Sequence, residues 1–274
     1  MTFRFHKVSD HGTGNPVVAR LGPQIFNLIE LSKFSKEKQE AICEGYFKLK
    51  DRFLKCFEIK ELLRKKADET IQDARNATPQ KHAQQTPFLI SLESNVENFL
   101  YEGKNILRDL TVIVNQFFET SFAKGAADFS LKGAKNNGRI LKWAQVFFGP
   151  NDVLTKALIS DQPWIQELID KRNAVEHPDG YSGKLVIQNF EISPAGELFS
   201  PVWYRAGQAP SSILVDIEAF YHNLFTFSEE LAVIAIQKNV FNPSIVIVEI
   251  PEAQRDPACP IRFRGDLAQG VTVP

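Results

Sequence analysis

One apolar seam near the middle of the chain constrains the fold more than any other feature. Its residues recur at intervals of three and four, which is the spacing of one face of an α-helix. A seam of this length has to be buried against other helices, so it predicts a long core helix in an antiparallel bundle. The seam consists of Leu89, Leu92, Val96, Phe99, Gly103, Ile106, Leu110, Ile113 and Phe117.

Similar spacing predicts further helices on both sides of the seam. Gly103, inside the seam, is expected to let a neighbouring helix approach closely. Ser35 is a suitable N-cap for a long first helix, whereas the chain up to about residue 22 is expected to be irregular or weakly extended. Asp161 is the expected N-cap of a later helix with Pro163 in its first turn. Helices are predicted at residues 25–76, 140–147, 151–160, 161–177 and 213–238.

Two segments outside these helices are expected to be extended. Residues 184–193 and 197–205 are rich in β-forming side chains and flank a Pro-Ala-Gly sequence, which predicts an inserted β-hairpin at about residues 184–205. The proline-punctuated tail, residues 241–274, is expected to pack on the domain, with a strand candidate at residues 244–250. No linker separates two cores, so residues 1–240 are predicted to form one helical domain.

Composition narrows the functional classes. With 274 residues, 43% of them hydrophobic, the chain is expected to bury a core. A net charge of −1 argues against a surface that coats nucleic acid, so any RNA contact should be local. The chain begins without the apolar stretch of a signal peptide and has no run long enough to span a membrane. We therefore expect a cytoplasmic protein that does not enter membranes.

Cofactor and metal signatures are missing from the sequence. The three cysteines, Cys43, Cys56 and Cys259, form no C-x-x-C pair and are interpreted as reduced thiols. The five histidines make no metal-ligand pattern with them, and no glycine-rich phosphate loop is present. The sequence therefore predicts neither a bound metal nor a cofactor.

The segment from Lys171 to Pro178 carries the most specific chemistry in the chain. Arg172 falls on the same helical face as Ile165 and Leu168, where an arginine is costly unless it has a partner. Either this face opens into a polar cleft, or Arg172 has a carboxylate or a phosphate as its partner. Pro178 disfavours helical backbone at His177, so the helix is predicted to end there. A histidine at that end could turn back toward the arginine.

This segment resembles the motif of the HEPN superfamily, an all-α bundle whose signature is Arg, often followed by Asn, Asp or His, and then His after four to six residues. Arg172, Asn173 and His177 match it residue by residue. The resemblance covers about residues 89–238, with residues 25–76 supplying the first helix, and the hairpin is an insertion. Two looser matches, Arg4…His11 and Arg75-Asn76…His82, are discounted because of where they lie. The first is in the N-terminus that is expected to be irregular, and the second crosses a proline-containing loop.

The resemblance implies a metal-independent endoribonuclease that acts as a homodimer with a composite active site. His177 would be the general acid or base, since histidine titrates near neutral pH. Arg172 would grip the scissile phosphate, and Asn173 would orient the histidine or the phosphate. Attack by the ribose 2′-OH would yield a 2′,3′-cyclic phosphate and a 5′-hydroxyl, and would spare DNA.

Further residues are assigned to this site with alternatives left open. Glu102 flanks the seam and is expected to orient Arg172 or His177. Glu176 is a second candidate for that role, or a solvent-facing charge. A basic segment is interpreted as a local contact for RNA phosphates, or equally as a solvated loop. Its predicted RNA-binding residues are Lys132, Lys135 and Arg139.

Two other functional interpretations compete with the ribonuclease. The first is a non-catalytic HEPN module that binds a nucleotide, RNA or a partner such as a nucleotidyltransferase. The second is a structural scaffold in which Arg172 forms an interhelical salt bridge with Glu97 or Glu102 and His177 only caps its helix. For the enzyme, family analogy adds a role as a toxin or phage-defence effector, with an antitoxin as partner.

Overall fold

The computed structural model describes residues 11–76, 86–123, 125–131, 138–193 and 197–268, and this part of the chain is mainly helical. The predicted mainly α class is therefore confirmed, whereas the HEPN-like bundle remains a prediction. Among the described helices, none combines the length and apolar character that crossing a bilayer requires. The α-helices are α1 (Pro16–Leu21), α2 (Pro23–Ile29), α3 (Lys36–Asn76), α4 (Leu92–Phe118), α5 (Arg139–Phe147), α6 (Val153–Glu176) and α7 (Ile213–Gln237).

The apolar seam runs along α4, and its side chains are buried as predicted. Gly103 lies at its centre. A Cβ added there would lie 3.3 Å from both methyl carbons of Leu168 and 3.5 Å from a methyl carbon of Leu224. Side chains of α6 and α7 thus occupy the space that a side chain at position 103 would need, which confirms the predicted close approach.

Local capping explains where two of the helices begin. The backbone N–H of Lys38 donates to Oγ of Ser35, which confirms Ser35 as the N-cap of α3. The prediction of irregular structure up to residue 22 is wrong from Pro16 onward. There, Oδ1 of Asn15 accepts from the N–H of Val17 at 2.9 Å, and proline occupies the first helical position. An Asn-Pro pair is a helix-start signal, and here it starts α1.

The predicted break at Asp161 is also wrong, because α6 continues through it as one helix. Asp152 is the N-cap, and its side chain accepts from the N–H of Leu154 at 2.9 Å. Pro163 lies inside the helix, where a proline costs about 3 kcal/mol. Buried residues on both sides of Pro163, including Leu158 and Ile165, compensate this cost by packing.

The β structure is confined to small antiparallel sheets. Pairing of β1 with β4 and of β2 with β3 confirms the predicted hairpin, whose turn at residues 194–196 lies outside the described residues. β5 pairs with the other edge of β4. β6 confirms the strand candidate in the tail, and its partner β7 was not anticipated. The strands are β1 (Leu185–Gln188), β2 (Glu191–Ile192), β3 (Leu198–Phe199), β4 (Val202–Arg205), β5 (Ser211–Ser212), β6 (Ile245–Glu249) and β7 (Phe263–Leu267).

The chain forms two compact units. Unit 1 comprises residues 1–51, 112–121 and 226–274, and unit 2 comprises residues 52–111 and 122–225. The single domain expected over residues 1–240 remains a prediction. The motif residues all belong to unit 2.

Unit 1 is held together by buried polar contacts around the start of α3. The hydroxyl of Tyr46 donates to the carbonyl oxygen of Ser228 at 2.9 Å. The next residue, Glu229, is fully buried and accepts from the guanidinium of Arg20 and, at 2.9 Å, from the amide of Gln24. Gln24 also accepts backbone N–H donors from β7 and the residue before it. A single buried carboxylate therefore connects α1, α2 and α7.

In unit 2, α3 runs antiparallel to both α4 and α7. Successive contact residues along α3 have rising residue numbers, whereas their partners on α4 and α7 have falling residue numbers. The helices therefore run in opposite directions. The α3–α4 ion pairs are Arg52–Asp109 and Lys55–Glu102, and the α3–α7 contacts are Phe53–Phe225 and Lys60–Glu218. The motif lies at the C-terminal end of α6, which belongs to the same unit.

Candidate functional site

The motif occupies the last two turns of α6, and the helix ends where the sequence predicts. His177 has φ −135° and ψ 72°, outside the helical region, and its N–H donates to the carbonyl of Asn173 at 2.7 Å. The N–H of Gly180 then donates to the carbonyl of His177 at 2.9 Å and closes the following turn. The backbone of the histidine is thereby fixed, while its side chain is exposed.

Arg172 is nearly buried, with 9% of its surface exposed, and it has two described contacts. Nη1 lies 2.8 Å from Oε2 of Glu176, one helical turn further on. The guanidinium carbon lies 5.4 Å from the centre of the Tyr101 ring, a cation–π distance. Nε of Arg172 is buried without a hydrogen-bond partner. The guanidinium is therefore held in place, but not all of its N–H donors have an acceptor.

Lys104 of α4 completes a cationic pair with Arg172. Its Nζ lies 3.1 Å from the same Oε2 atom of Glu176 and 3.0 Å from Oδ1 of Asn173. Burial acts to raise the pKa of the Glu176 carboxyl, but hydrogen bonds and charge from Lys104 and Arg172 outweigh it and hold that pKa below its usual range. Glu176 is therefore a carboxylate at neutral pH, flanked by two cations.

Asn173 links the lysine to the loop that follows the helix. While its Oδ1 accepts from Lys104, its Nδ2 donates to the hydroxyl of Tyr181 at 2.8 Å. Its described side-chain bonds therefore run to Lys104 and Tyr181, and its link to His177 is through the backbone, where its carbonyl accepts from the N–H of His177. The predicted task of orienting the histidine or the phosphate remains a prediction.

His177 lies at the exposed edge of this group. Its side chain is 68% exposed, and Nε2 lies 3.9 Å from Oε2 of Glu176. That oxygen is thus the point at which the arginine, the lysine and the histidine converge. The structure brings the predicted Arg172, Asn173 and His177 into one group, whose side chains are connected through Glu176 and Lys104 rather than through direct bonds to one another.

The other predicted site residues lie apart from this group or outside the described residues. Glu102 is paired with Arg52 at 2.8 Å and with Lys55 at 3.5 Å, and none of its described contacts reaches the motif. Arg139 begins α5, where its Nη1 lies 3.2 Å from the buried carboxylate of Asp128. Lys132 and Lys135 lie outside the described residues.

Sequence reasoning missed three residues of the group, namely Lys104, Tyr101 and Tyr181. Tyr101 and Lys104 are three positions apart and flank Gly103, so they share the edge of the seam that meets α6. That phase is the signal that would have favoured them over Glu102. Tyr181 follows the Asp-Gly turn after the motif, and nothing local indicates that the chain returns to Asn173.

A second charged cluster lies on α6 beside the motif and ties the helix to the hairpin. Lys171 Nζ lies 3.1 Å from Glu167 and 4.6 Å from the centre of the Trp203 ring. Arg205 donates to Glu167 at 2.9 Å, and Asp216 accepts from the indole N–H of Trp203 at 2.6 Å. The acids and bases of this cluster neutralise each other, which favours a structural role.

The motif group can bind an anion and move a proton. Two cations and a histidine surround one point that is open to solvent, and two exposed tyrosine rings, Tyr101 and Tyr181, border it. Across the described ranges, His, Cys, Asp and Glu side chains form no group of three that could hold a metal ion. Comparison with family models, curated proteins and solved structures finds no significant match to the chain.

Proposed function

We propose that this protein is a metal-independent endoribonuclease of the HEPN type, with its site at the C-terminal end of α6. The observation that supports the proposal is the convergence of Arg172 Nη1, Lys104 Nζ and His177 Nε2 within 3.9 Å of one oxygen, Oε2 of Glu176. Cations that converge on one oxygen beside a histidine suit transfer at a phosphodiester, where charge develops on phosphate oxygens.

Under this proposal Arg172 holds the scissile phosphate and stabilises the charge of the transition state. The 2′-oxygen bonds to phosphorus as the bond from phosphorus to the 5′-oxygen breaks. One proton leaves the 2′-OH and one is added to the 5′-oxygen. His177 is the exposed group able to accept or donate such a proton, and its exposure lets it reach a bound strand.

The two tyrosines give the site a preference for unpaired RNA. Tyr101 and Tyr181 present exposed rings beside the cations, and bases that are not paired stack on such rings. A base-paired strand keeps its bases inside the helix and cannot use them. We therefore expect single-stranded RNA or loops to be the substrate.

The wider biological assignment rests on the resemblance to HEPN proteins. A homodimer would place two copies of the motif around one cleft, so that Arg172 of one protomer and His177 of its partner can act on the same phosphate. A cytoplasmic toxin or phage-defence effector, with an antitoxin or a nucleotidyltransferase as partner, is the corresponding role. Mixing Arg172→Ala and His177→Ala proteins tests the composite site, because mixed dimers restore one intact pair.

The proposal is tested by cleavage of a mixed-sequence, single-stranded RNA in EDTA. Wild-type protein should yield cyclic-phosphate ends, and His177→Ala should lose about 10²–10⁴-fold in rate, the usual contribution of general acid–base catalysis. His222→Ala, which removes an exposed histidine of α7, is the matched control and should cleave like the wild type. Absence of cleavage by wild type, with Arg172-dependent RNA binding retained, would replace the enzyme with a binding module.

A further inference from the structure

Glu176 occupies the position that the proposed function gives to a phosphate. Its Oε2 accepts from Nη1 of Arg172 at 2.8 Å and from Nζ of Lys104 at 3.1 Å, and it lies 3.9 Å from Nε2 of His177. A non-bridging phosphate oxygen held by the same cations would need this point. The carboxylate and the phosphate therefore exclude each other.

The hold on this carboxylate is weak enough for it to be displaced. Glu176 is the final residue of α6, where the partial negative charge of the helix end disfavours an acidic side chain. Its side chain is 39% exposed, and ion pairs at such positions are screened by water. A rotation about its side-chain bonds would carry it into solvent without disturbing the backbone of the helix.

The carboxylate also leaves the cations incompletely satisfied. Nε of Arg172 is buried without a hydrogen-bond partner, although the residue is nine-tenths buried. Buried donors in native proteins are almost always paired, so this N–H is a donor that an additional acceptor at the site could use. A phosphate brings more acceptor oxygens than the one that Glu176 supplies in the described contacts.

We infer that Glu176 is an internal competitor of the RNA phosphate and that Lys104 is a second phosphate-binding residue, positioned by Asn173. This inference rests on the proposed function, since it takes RNA as the ligand. The amide of Asn173 holds Lys104 on one side and Tyr181 on the other, which fixes the lysine next to Arg172. The net charge of the site therefore becomes one unit more positive when the Glu176 side chain rotates into solvent.

A different role for Glu176 makes the opposite prediction. If the carboxylate oriented His177 for proton transfer, then neutralising it would slow cleavage and leave binding unchanged. If it competes with the substrate, then neutralising it strengthens binding. Binding therefore has to be measured on an RNA that cannot be cleaved, so that the two roles give separate results.

The probe is a fluorescent single-stranded RNA with 2′-O-methyl groups throughout, which lacks the attacking hydroxyl. Its affinity is measured by anisotropy over a series of salt concentrations. Glu176→Gln should bind about fivefold more tightly than wild type, the effect expected on removing one partially exposed ion pair. Lys104→Gln should bind several-fold more weakly and reduce the salt slope by about 0.7, the value for one phosphate contact on a single strand.

Matched variants control for general charge effects. Glu119→Gln and Lys48→Gln each change one exposed charge in unit 1, and both should bind like wild type. Equal affinity of Glu176→Gln and wild type, or no binding by either, overturns the competitor role. An unchanged salt slope in Lys104→Gln overturns the assignment of the lysine.

The outcome is separable from that of the proposed function. If Glu176→Gln binds more tightly and no variant cleaves unmodified RNA, the competitor role of Glu176 is supported and the proposed ribonuclease activity is contradicted. If cleavage depends on His177 and Glu176→Gln gains no affinity, the proposed ribonuclease activity is supported and the competitor role of Glu176 is contradicted.

Discussion

Nη1 of Arg172 lies 2.8 Å from Oε2 of Glu176, so the buried arginine of the motif is paired within its own helix. The scaffold interpretation expected a salt bridge from Arg172 to Glu97 or Glu102 on α4. Glu102 instead pairs with Arg52 of α3. The described ion pair of the Arg172 guanidinium is thus with a neighbour one turn away on its own helix, and its buried Nε has no hydrogen-bond partner, so planar donors remain for a ligand.

Replacing Arg172 by lysine should separate binding geometry from charge. The variant keeps the positive charge but loses the planar fork, and we expect cleavage to fall by about 10²-fold, as when one donor to a transition state is lost. The midpoint of urea unfolding should change little. Arg264→Lys, an exposed arginine of β7, is the control for both measurements. Full activity in Arg172→Lys would contradict a bidentate grip on phosphate.

Tyr101 should contribute to RNA binding through its ring rather than through its hydroxyl. Tyr101→Phe keeps the exposed ring above Arg172 and should bind single-stranded RNA normally. Tyr101→Ala should weaken binding by about 5–100-fold, since one stacked base is worth about 1–3 kcal/mol. Anisotropy with the uncleavable RNA measures both, with Phe241→Ala as a control at an exposed aromatic of unit 1. A loss in Tyr101→Phe equal to that in Tyr101→Ala would exclude stacking.

Glu167 should make stability depend on pH. Burial acts to raise the pKa of this carboxyl, but hydrogen bonds and charge from Lys171 and Arg205 outweigh it and place that pKa below its ordinary value of 4.5. A lowered folded-state pKa gives stability that is present above the ordinary value and is lost as pH falls through the folded-state pKa. With a third of the side chain exposed, solvent screening limits the effect to about 1 kcal/mol.

Glu167→Gln should therefore unfold more easily than wild type at neutral pH, and should match it at an acidic pH below the lowered folded-state pKa, where Glu167 is protonated in the folded and unfolded states. Urea titrations followed by circular dichroism at the two pH values give the difference in unfolding free energy. A difference of the same size at both pH values would show that the carboxylate charge is not what stabilises the cluster.

The parts of the fold that the sequence predicts are those governed by local rules. Ser35 starts α3 because its hydroxyl caps the helix, and Gly103 accepts close neighbours because it has no side chain. The break predicted before Pro163 fails because burial on both sides of the proline outweighs its local cost. Packing of this kind depends on residues distant in sequence, such as Phe129, whose carbonyl accepts from Gln162 of α6.

The residues of the candidate site likewise divide into those that local sequence predicts and those that only tertiary contacts define. Arg172, Asn173 and His177 lie close together in sequence, and their spacing alone identifies them as candidate site residues. Lys104 and Tyr181 reach them across 69 and 8 positions, respectively, through contacts that only the tertiary structure defines. Glu102 pairs with Arg52 of α3 whereas Lys104 reaches the motif, because the two positions that separate them along α4 change the direction of a side chain by about 200°.

Glu229 should be a principal determinant of the stability of unit 1. Its carboxylate is fully buried and is held by Arg20 and Gln24, and Nη1 of Arg262 lies 3.9 Å away. Glu229→Gln removes the buried negative charge that faces Arg20 and Arg262, and loss of one partner of a buried pair costs about 3–5 kcal/mol. Glu119→Gln, which breaks the exposed pair with Lys38, should change the unfolding free energy little. Urea unfolding of both variants measures the contrast, and equal small losses would show that the buried carboxylate stabilises unit 1 no more than a surface charge does.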